Sequence, residues 1–270
     1  KEMTSDMLHW IKNENIDGFR CDVAGNVPLD FWQQAIPQLR KEKSIFMLAE
    51  AWEPELLKEG LFDMAYGWEA HHTMNRIAQG KNSVKDWDKF MTENESKYSS
   101  DDILMNFVDN HDENSWNGTI KGRLGKAEEA MTALSYVMPG MPLIYSGNEY
   151  GLNHSLKFFE KDSIPKTKGK DWELRAKLGK LKTENPALNG GKNKAKYTRI
   201  KTDDDANILA FTREKNSKKV VYIANFSSKP INSKVAITGE FTNYMTGKSM
   251  SLKDNEVITL QPFQYFILNN

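Results

Sequence analysis

Hydrophobic residues in the first two thirds of the chain follow two alternating patterns. Apolar residues at helical spacing predict helices at residues 2–15, 32–43, 83–97 and 125–138. Short apolar runs lie between these helices, at residues 16–22, 44–50, 62–68, 103–112 and 141–149. Such runs, alternating with helices or long insertions, are typical of βα units around a parallel sheet, so this part of the chain is predicted to be α/β.

The pattern changes after a last amphipathic helix, which is predicted over residues 170–185 and ended by Asn185-Pro186. Strand-like runs separated by turn residues then occupy 197–201, 207–213, 220–226, 235–238, 241–245 and 257–268. This pattern predicts a small antiparallel β-domain. We place the boundary near residue 190, which gives an α/β domain over residues 1–189 and a β-sandwich domain over residues 190–270.

Composition and charge exclude several classes of function. The 270 residues include 37 Lys and Arg against 37 Asp and Glu, so charge gives no argument for nucleic acid or an anionic membrane as a partner. No apolar run approaches the length of a membrane span. A single cysteine, Cys21, excludes an internal disulfide framework and a Cys-rich metal site. The cellular location is left unassigned, with secretion or the periplasm favoured over the cytoplasm.

Polar residues with catalytic potential end three of the predicted parallel strands. Arg20 and Asp22 end the first strand, Glu50 ends the second, and an Asn-His-Asp sequence with His111 and Asp112 ends the fourth. Each alone is more simply a helix cap, a surface pair or a turn. Because functional groups gather at the carboxyl ends of parallel strands, agreement in position across three strands favours one shared site.

Two carboxylates that face one cavity are suited to cleavage of a glycosidic bond. One carboxylate can attack the anomeric carbon while the other, kept protonated, protonates the leaving oxygen. An arginine two residues before Asp22 projects to the same side of its strand, and its charge keeps that carboxylate ionised. A third acid beside a histidine can bind sugar hydroxyls.

Four segments resemble motifs of the α-amylase family of glycoside hydrolases, glycoside hydrolase family 13. The family motifs of the fourth, fifth, seventh and eighth barrel strands are similar to residues 18–24, 48–52, 107–112 and 140–149. The order of the motifs agrees as well, which makes them far more specific together than singly. The resemblance implies part of a (β/α)8 TIM barrel, its fourth to eighth strands, followed by a small antiparallel β-sandwich.

The resemblance also implies roles for the three acids. Asp22 would be the nucleophile that forms a covalent glycosyl-enzyme, and Glu50 the general acid/base. Asp112 would stabilise the transition state by holding hydroxyls of the distorted sugar. The mechanism would be retaining, with the carboxyl groups of Asp22 and Glu50 about 5–5.5 Å apart.

Three further residues are predicted to bind substrate. The resemblance implies that Arg20 orients Asp22 and that His111 contacts the same sugar. Trp52, beyond the end of the second strand, could stack on a sugar ring, and packing at the rim is an equal alternative for it and for Trp68 and Trp116.

No metal site is predicted in this chain. His71-His72 suggests a metal, but adjacent side chains point in different directions and no acid or cysteine cluster completes a site, so we interpret the pair as a loop or a leaving-group-side contact. The resemblance implies that the chemistry needs no cofactor. It also implies a structural calcium in the full-length protein, whose usual ligands are absent here, and residues 23–28 lack the Lys-His pair of many α-amylases.

The chain has no segment similar to the first three strands of the family barrel. We therefore expect a C-terminal fragment of a larger enzyme, with the missing N-terminal half as a candidate partner chain. The isolated 270 residues are expected to show little or no hydrolysis.

The function predicted for the parent protein is retaining hydrolysis of α-1,4-glucosidic bonds, with starch or maltooligosaccharides as the α-glucan substrate. A transglycosidase that uses the same site with a sugar acceptor is the first alternative. A non-catalytic glucan-binding or interaction protein is the second, and the presence of all three carboxylates disfavours it.

Overall fold

The computed structural model describes residues 1–254 and 256–270. The helices in this part are α1 (Glu2–Lys12), α2 (Leu29–Glu42), α3 (Trp68–Ala78), α4 (Val84–Lys97), α5 (His111–Trp116), α6 (Ile120–Leu124), α7 (Glu128–Val137) and α8 (Lys170–Glu184). The strands up to residue 142 are β1 (Gly18–Cys21), β2 (Phe46–Ala49), β3 (Met64–Tyr66), β4 (Leu104–Asn106) and β5 (Met141–Pro142). The later strands are β6 (Lys196–Arg199), β7 (Ile208–Lys215), β8 (Lys218–Asn225), β9 (Ile231–Lys234), β10 (Gly239–Asn243), β11 (Ser249–Leu252), β12 (Val257–Leu260) and β13 (Tyr265–Asn269).

Strands β1 to β5 form one parallel sheet in chain order. Cys21 of β1 pairs with Ala49 of β2, and the Glu50 amide continues the ladder by donating to the Cys21 carbonyl at 3.0 Å. The residues that follow each strand therefore lie side by side at one edge of the sheet. This architecture confirms the predicted partial barrel.

Close approach of the first two strands depends on Gly18. Its φ of +154° is within the range that favours glycine, and a Cβ there would lie 1.9 Å from the Phe46 carbonyl oxygen. Helix α2 covers the same strands, and its buried Trp32, Ile36 and Leu39 recur at helical spacing. The first two strands thus have a fixed register, which determines how the residues after them meet.

The second part of the chain is a sandwich of two antiparallel sheets. Its larger sheet has the order β11-β10-β13-β8-β7-β6, and β9 pairs with β12 in the smaller one. Alternate residues of β8 face opposite ways: Val221 and Ile223 pack in the core that includes the smaller sheet, whereas Val220 and Tyr222 join the core of the helices. The Tyr222 hydroxyl donates to the Ala130 carbonyl of α7 at 2.7 Å. The large sheet is thus buried on both faces, and the predicted β-domain is confirmed.

Two interpretations in the first part of the chain were wrong. His71 and His72 lie in helix α3, not in a loop, and His71 is buried. Residues 103–112 do not form one strand, since the strand ends at Asn106 and helix α5 begins at His111. The reason is local, because the Asn110 side chain accepts a hydrogen bond from the Glu113 amide and caps the helix.

The β-domain also differs from the sequence prediction. Residues 257–268 form two strands in different sheets, separated by a turn with Phe263 at a φ of +57°. The strand expected at 235–238 lies at 231–234 instead, and Val235 makes only an isolated bridge with Thr202. Strand β11 was not predicted. The domain boundary near residue 190 stays a prediction, between the end of α8 and the start of β6.

Candidate active site

Arg20 joins two carboxylates and a tyrosine at the carboxyl edge of the parallel sheet. Its Nη1 donates to Asp22 Oδ1, its Nη2 lies 2.9 Å from Glu50 Oε1, and its Nε donates to Tyr66 Oη at 3.1 Å. These residues come from the ends of three neighbouring strands, β1, β2 and β3. The structure therefore brings Arg20, Asp22 and Glu50 together as the strand-end argument predicted.

The charge of Arg20 controls the ionisation of Asp22. Burial lowers the pKa of Arg20, but hydrogen bonds with Tyr66 and Asp22 outweigh it, so the net shift is upward. The hydrogen bond from Arg20 in turn holds the pKa of Asp22 below its ordinary value. At neutral pH the pair is thus an ionised carboxylate beside a permanent cation.

Asp22 and Glu50 occupy different surroundings although they share Arg20. The Asp22 side chain is 75% exposed, whereas that of Glu50 is 13% exposed. Glu50 Oε2 also accepts a hydrogen bond from the Val23 amide at 2.8 Å. Val23 has a left-handed backbone with a φ of +43°, which costs a β-branched residue about 1 kcal/mol or more. This strained turn directs a backbone donor at Glu50.

His111 and Asp112 lie in the first turn of α5, with His111 Nε2 3.3 Å from Asp112 Oδ2. The hydrogen bond from Arg20 dominates the lowered pKa of Asp22, and the charge of His111 lowers it further. Burial raises the pKa of Tyr66, and the charge of Asp112 adds to this upward shift. Helix α5 follows β4 at the carboxyl edge of the parallel sheet, the edge at which Asp22 follows β1.

A buried arginine supports the segment that carries these two residues. Arg123 Nη2 donates to Asp109 Oδ1 at 2.7 Å, and its Nη1 donates to the Val108 carbonyl at 3.0 Å and to Asn75 Oδ1 at 3.1 Å. Its Nε donates to the Gly118 carbonyl at 3.1 Å. Arg123 therefore binds the chain on both sides of the Asn-His-Asp sequence.

Glu113 and His71 complete this internal network. His71 Nε2 lies 3.1 Å from Glu113 Oε2, and its ring stacks on Phe107 with centroids 4.6 Å apart. Burial raises the pKa of Glu113, but the hydrogen bond with His71 and the charge of Arg123 reverse the shift, so the net pKa is lowered. His71 has a supporting position behind the rim.

Trp52 projects from the loop after β2 and is 50% exposed. Its amide donates to Glu53 Oε2 at 3.0 Å, and its carbonyl accepts a hydrogen bond from the Tyr98 hydroxyl at 2.5 Å. Together with Trp68 it lines a cavity of about 370 Å³ between this loop and helices α3 and α4. Contact of Trp52 with a substrate stays a prediction.

Sequence reasoning missed Tyr66 and Arg123. Tyr66 lies near the end of the third apolar run and is the last residue of β3, so the strand-end argument could have included it. Arg123 gave no such signal, because its partners are brought together only by the packing of β4, α3 and α6.

Residues 1–254 and 256–270 contain neither a cluster of metal ligands nor a membrane-spanning helix. No group of three or more His, Cys, Asp or Glu side chains there is arranged to hold a metal ion. None of the helices in this part is long and apolar enough to cross a membrane.

Known proteins resemble the chain in sequence and in structure. The alpha-amylase catalytic domain model matches residues 1–218. The alpha-amylase MalA of Haloarcula japonica is 23% identical over 236 residues, which cover 86% of this chain and 35% of that protein. The cyclomaltodextrinase of Thermoanaerobacter pseudethanolicus is 24% identical, over 96% of this chain and 46% of that protein.

The maltogenic alpha-amylase AmyB of Thermotoga neapolitana shares the fold. Its crystal structure matches with a TM-score of 0.86 and 23% identity, over 99% of this chain and 64% of that one. The chain thus spans less than half the length of the two curated relatives named above. Since the catalytic-domain model covers most of the 270 residues, the chain belongs to the alpha-amylase family of glycoside hydrolases.

Proposed function

We propose that the protein containing these residues is a retaining glycoside hydrolase that cleaves α-1,4-glucosidic bonds of starch or maltooligosaccharides. One observation carries the proposal: Asp22 and Glu50, from the ends of adjacent parallel strands, bind the same guanidinium of Arg20. The carboxylates lie in unequal surroundings, which suits two different roles in one reaction.

In the first step Asp22 attacks the anomeric carbon, and the bond from that carbon to the leaving oxygen breaks. Glu50 gives its proton to that oxygen, so a covalent glycosyl-enzyme and a shortened glucan result. In the second step Glu50 removes a proton from water, which attacks the same carbon and releases Asp22. Arg20 keeps Asp22 ionised and in place, and His111 and Asp112 hold hydroxyl groups of the sugar.

The proposed chemistry uses side chains alone. Carboxyl groups supply the nucleophile and the proton, so no cofactor takes part in a step. Calcium is proposed at most as a structural ion of the longer protein. An uncharged glucan agrees with the equal numbers of acidic and basic residues.

The names of the relatives support an α-glucan substrate, since they include alpha-amylases, a cyclomaltodextrinase and maltogenic amylases. Our proposal concerns the longer protein, because the relatives extend well beyond the matched region. For the 270 residues alone we expect little or no hydrolysis, since Asp22 is open to solvent on one side.

Hydrolysis of maltooligosaccharides by the full-length protein tests the proposal. Asp22→Asn and Glu50→Gln should each lower turnover by about 10³-fold or more while the thermal unfolding midpoint stays close to wild type. NMR should show that the first product keeps the α configuration. Turnover within tenfold of wild type in either variant, or a β product, would contradict the assignment.

The same assay separates hydrolysis from transfer. Products longer than the substrate would indicate a transglycosidase that uses the same carboxylates. Binding of glucan without turnover in the wild-type protein would indicate a non-catalytic glucan-binding protein.

A further inference from the structure

Three aromatic rings form an exposed cluster beside the candidate active site. Trp116, Phe158 and Phe159 are 61%, 47% and 85% exposed. Their ring centroids are 5.2 Å apart for Trp116 and Phe158, and 4.8 Å apart for Phe158 and Phe159. Large apolar side chains that contact one another in solvent mark interaction surfaces. We call these three residues the aromatic platform.

The platform is held in place by partly buried hydrogen bonds. Asn114, only 1% exposed, accepts a hydrogen bond from the Leu156 amide at 2.7 Å and donates to the His154 carbonyl at 3.3 Å. The Ser115 hydroxyl donates to the Leu156 carbonyl at 3.3 Å. The loop that carries Phe158 and Phe159 is therefore fixed onto helix α5, next to Trp116.

Helix geometry connects the platform with the candidate active site. Asp112 and Trp116 are four residues apart in α5, so they lie on the same side of the helix, about 6 Å apart along its axis. A glucan unit held by Asp112 would then be followed by further units that pass over Trp116.

Charges around the platform favour an uncharged ligand. Lys157 pairs with Glu160 at 2.6 Å, and His154 Nε2 lies 3.6 Å from Asp162 Oδ2. The charges of Lys157 and Glu160 neutralise one another. The planes of Trp116 and Phe158 are inclined by 42°, and Phe158 and Phe159 meet edge to face at 71°. Exposed aromatic ring faces suit the apolar C–H face of a pyranose ring, which carries no charge.

We propose that the aromatic platform is a glucan-binding site, on which sugar units of a long α-glucan stack while the neighbouring unit lies in the candidate active site. The proposal rests on the proposed function for its choice of ligand. Trp116, Phe158 and Phe159, which lie outside the catalytic group, would then determine the affinity for long glucan chains.

Binding of soluble starch by the 270-residue chain tests this proposal without requiring turnover. Mobility in native gels that contain starch gives a dissociation constant, with dextran gels as the control polymer. We expect starch, and not dextran, to retard the wild-type chain. Trp116→Ala and Phe159→Ala should each weaken starch binding about tenfold.

Trp10→Ala is the matched control, because Trp10 is also an exposed helical tryptophan, 53% exposed, on α1. This variant should bind starch like wild type. Phe159→Ala keeps the test informative if Trp116→Ala does not fold, since Phe159 is the most exposed of the three rings.

Two results would overturn the proposal. One is wild-type starch affinity in both platform variants, and the other is failure of starch to retard the wild-type chain. Loss of hydrolysis in the full-length assay, with starch binding that still depends on Trp116, would instead refute the proposed function and leave the platform in place.

Discussion

At the carboxyl edge of the parallel sheet, Arg20 lies between two carboxylates, whereas at the junction with the large antiparallel sheet Lys182 and Arg213 lie among backbone carbonyls. Arg213 donates to the carbonyls of Val137 at 3.2 Å and Asn189 at 2.9 Å. Lys182 donates to those of Gly140 at 2.7 Å and Leu188 at 2.8 Å. All three cations are removed from water to some degree, but their partners differ.

The pKa values follow these partners. Burial lowers the pKa of Arg213 to about 10 and that of Lys182 to about 7. Burial acts in the same direction on Arg20, but hydrogen bonds with Tyr66 and Asp22 raise its pKa above the ordinary value. Carbonyl dipoles satisfy hydrogen bonds without supplying a countercharge, whereas carboxylates do both. At the junction the cations bind backbone carbonyls of separate segments, whereas at the rim Arg20 holds the pKa of Asp22 below its ordinary value.

The largest effect is expected from removing the cation at the rim. Arg20→Met in the full-length protein should lower kcat by about 10³-fold, because Asp22 and Glu50 lose the group that positions both. The pKa of Asp22 should rise toward that of an ordinary aspartate, so the acid limb of the pH profile of kcat/KM should move to higher pH. Kinetics between acidic and neutral pH measure both effects.

Arg20→Lys is the control, since it keeps one charge but cannot reach both carboxylates and Tyr66 in the same geometry. It should retain part of the depressed acid limb. An unchanged acid limb in Arg20→Met would show that Arg20 does not set the ionisation of Asp22.

An intermediate effect is expected at the junction. Arg213→Ala leaves carbonyls of α7 and of the segment before β6 without a donor, which should lower the free energy of unfolding by about 3 kcal/mol. Urea unfolding of the 270-residue chain measures this loss. Arg76→Ala, at an exposed arginine of α3, should stay within about 0.5 kcal/mol of wild type. Equal losses in the two variants would argue against a structural role for Arg213.

The smallest effect at neutral pH is expected for Lys182, and it should depend on pH. An unfolded lysine has a pKa of about 10.4, so between about pH 7 and pH 10 the unfolded state binds more protons than the folded state. The free energy of unfolding of wild type should therefore rise across this window relative to Lys182→Met. Below pH 7 both states are protonated, and the difference between the two proteins should be constant.

Lys180→Met changes an exposed lysine of the same helix and should show no such trend. Urea unfolding at several pH values compares the three proteins. A difference between wild type and Lys182→Met that is independent of pH from 7 to 10 would contradict the lowered pKa.

The residues of the rim could be predicted because each of them ends a short apolar run that is visible in the local sequence. Arg20, Asp22 and Glu50 end apolar runs, and parallel pairing of Cys21 with Ala49 brings the ends together. The family motifs then added roles that spacing alone does not supply.

Other features depend on contacts between distant segments. Helix α3 was missed because its apolar face, with Met74 and Ile77, was hidden by the polar sequence around His71. The run at 257–268 was interpreted as one strand, since hydrophobic alternation does not show the turn near Phe263. The sequence indicates Trp116 as a candidate for stacking on a sugar ring. Its contact with Phe158 could not be predicted, because it forms only when the loop that carries Phe158 folds back onto α5.

The central claim is that Asp22 is the nucleophile of a retaining mechanism. A fluorinated α-glucosyl fluoride, incubated with the Glu50→Gln variant of the full-length protein, tests it directly, because fluoride leaves without an acid and the variant lacks the base for the second step. Peptide mass spectrometry should then find one glycosyl group bound to Asp22. A glycosyl group on another carboxylate, or an inverted product without any adduct, would contradict the account.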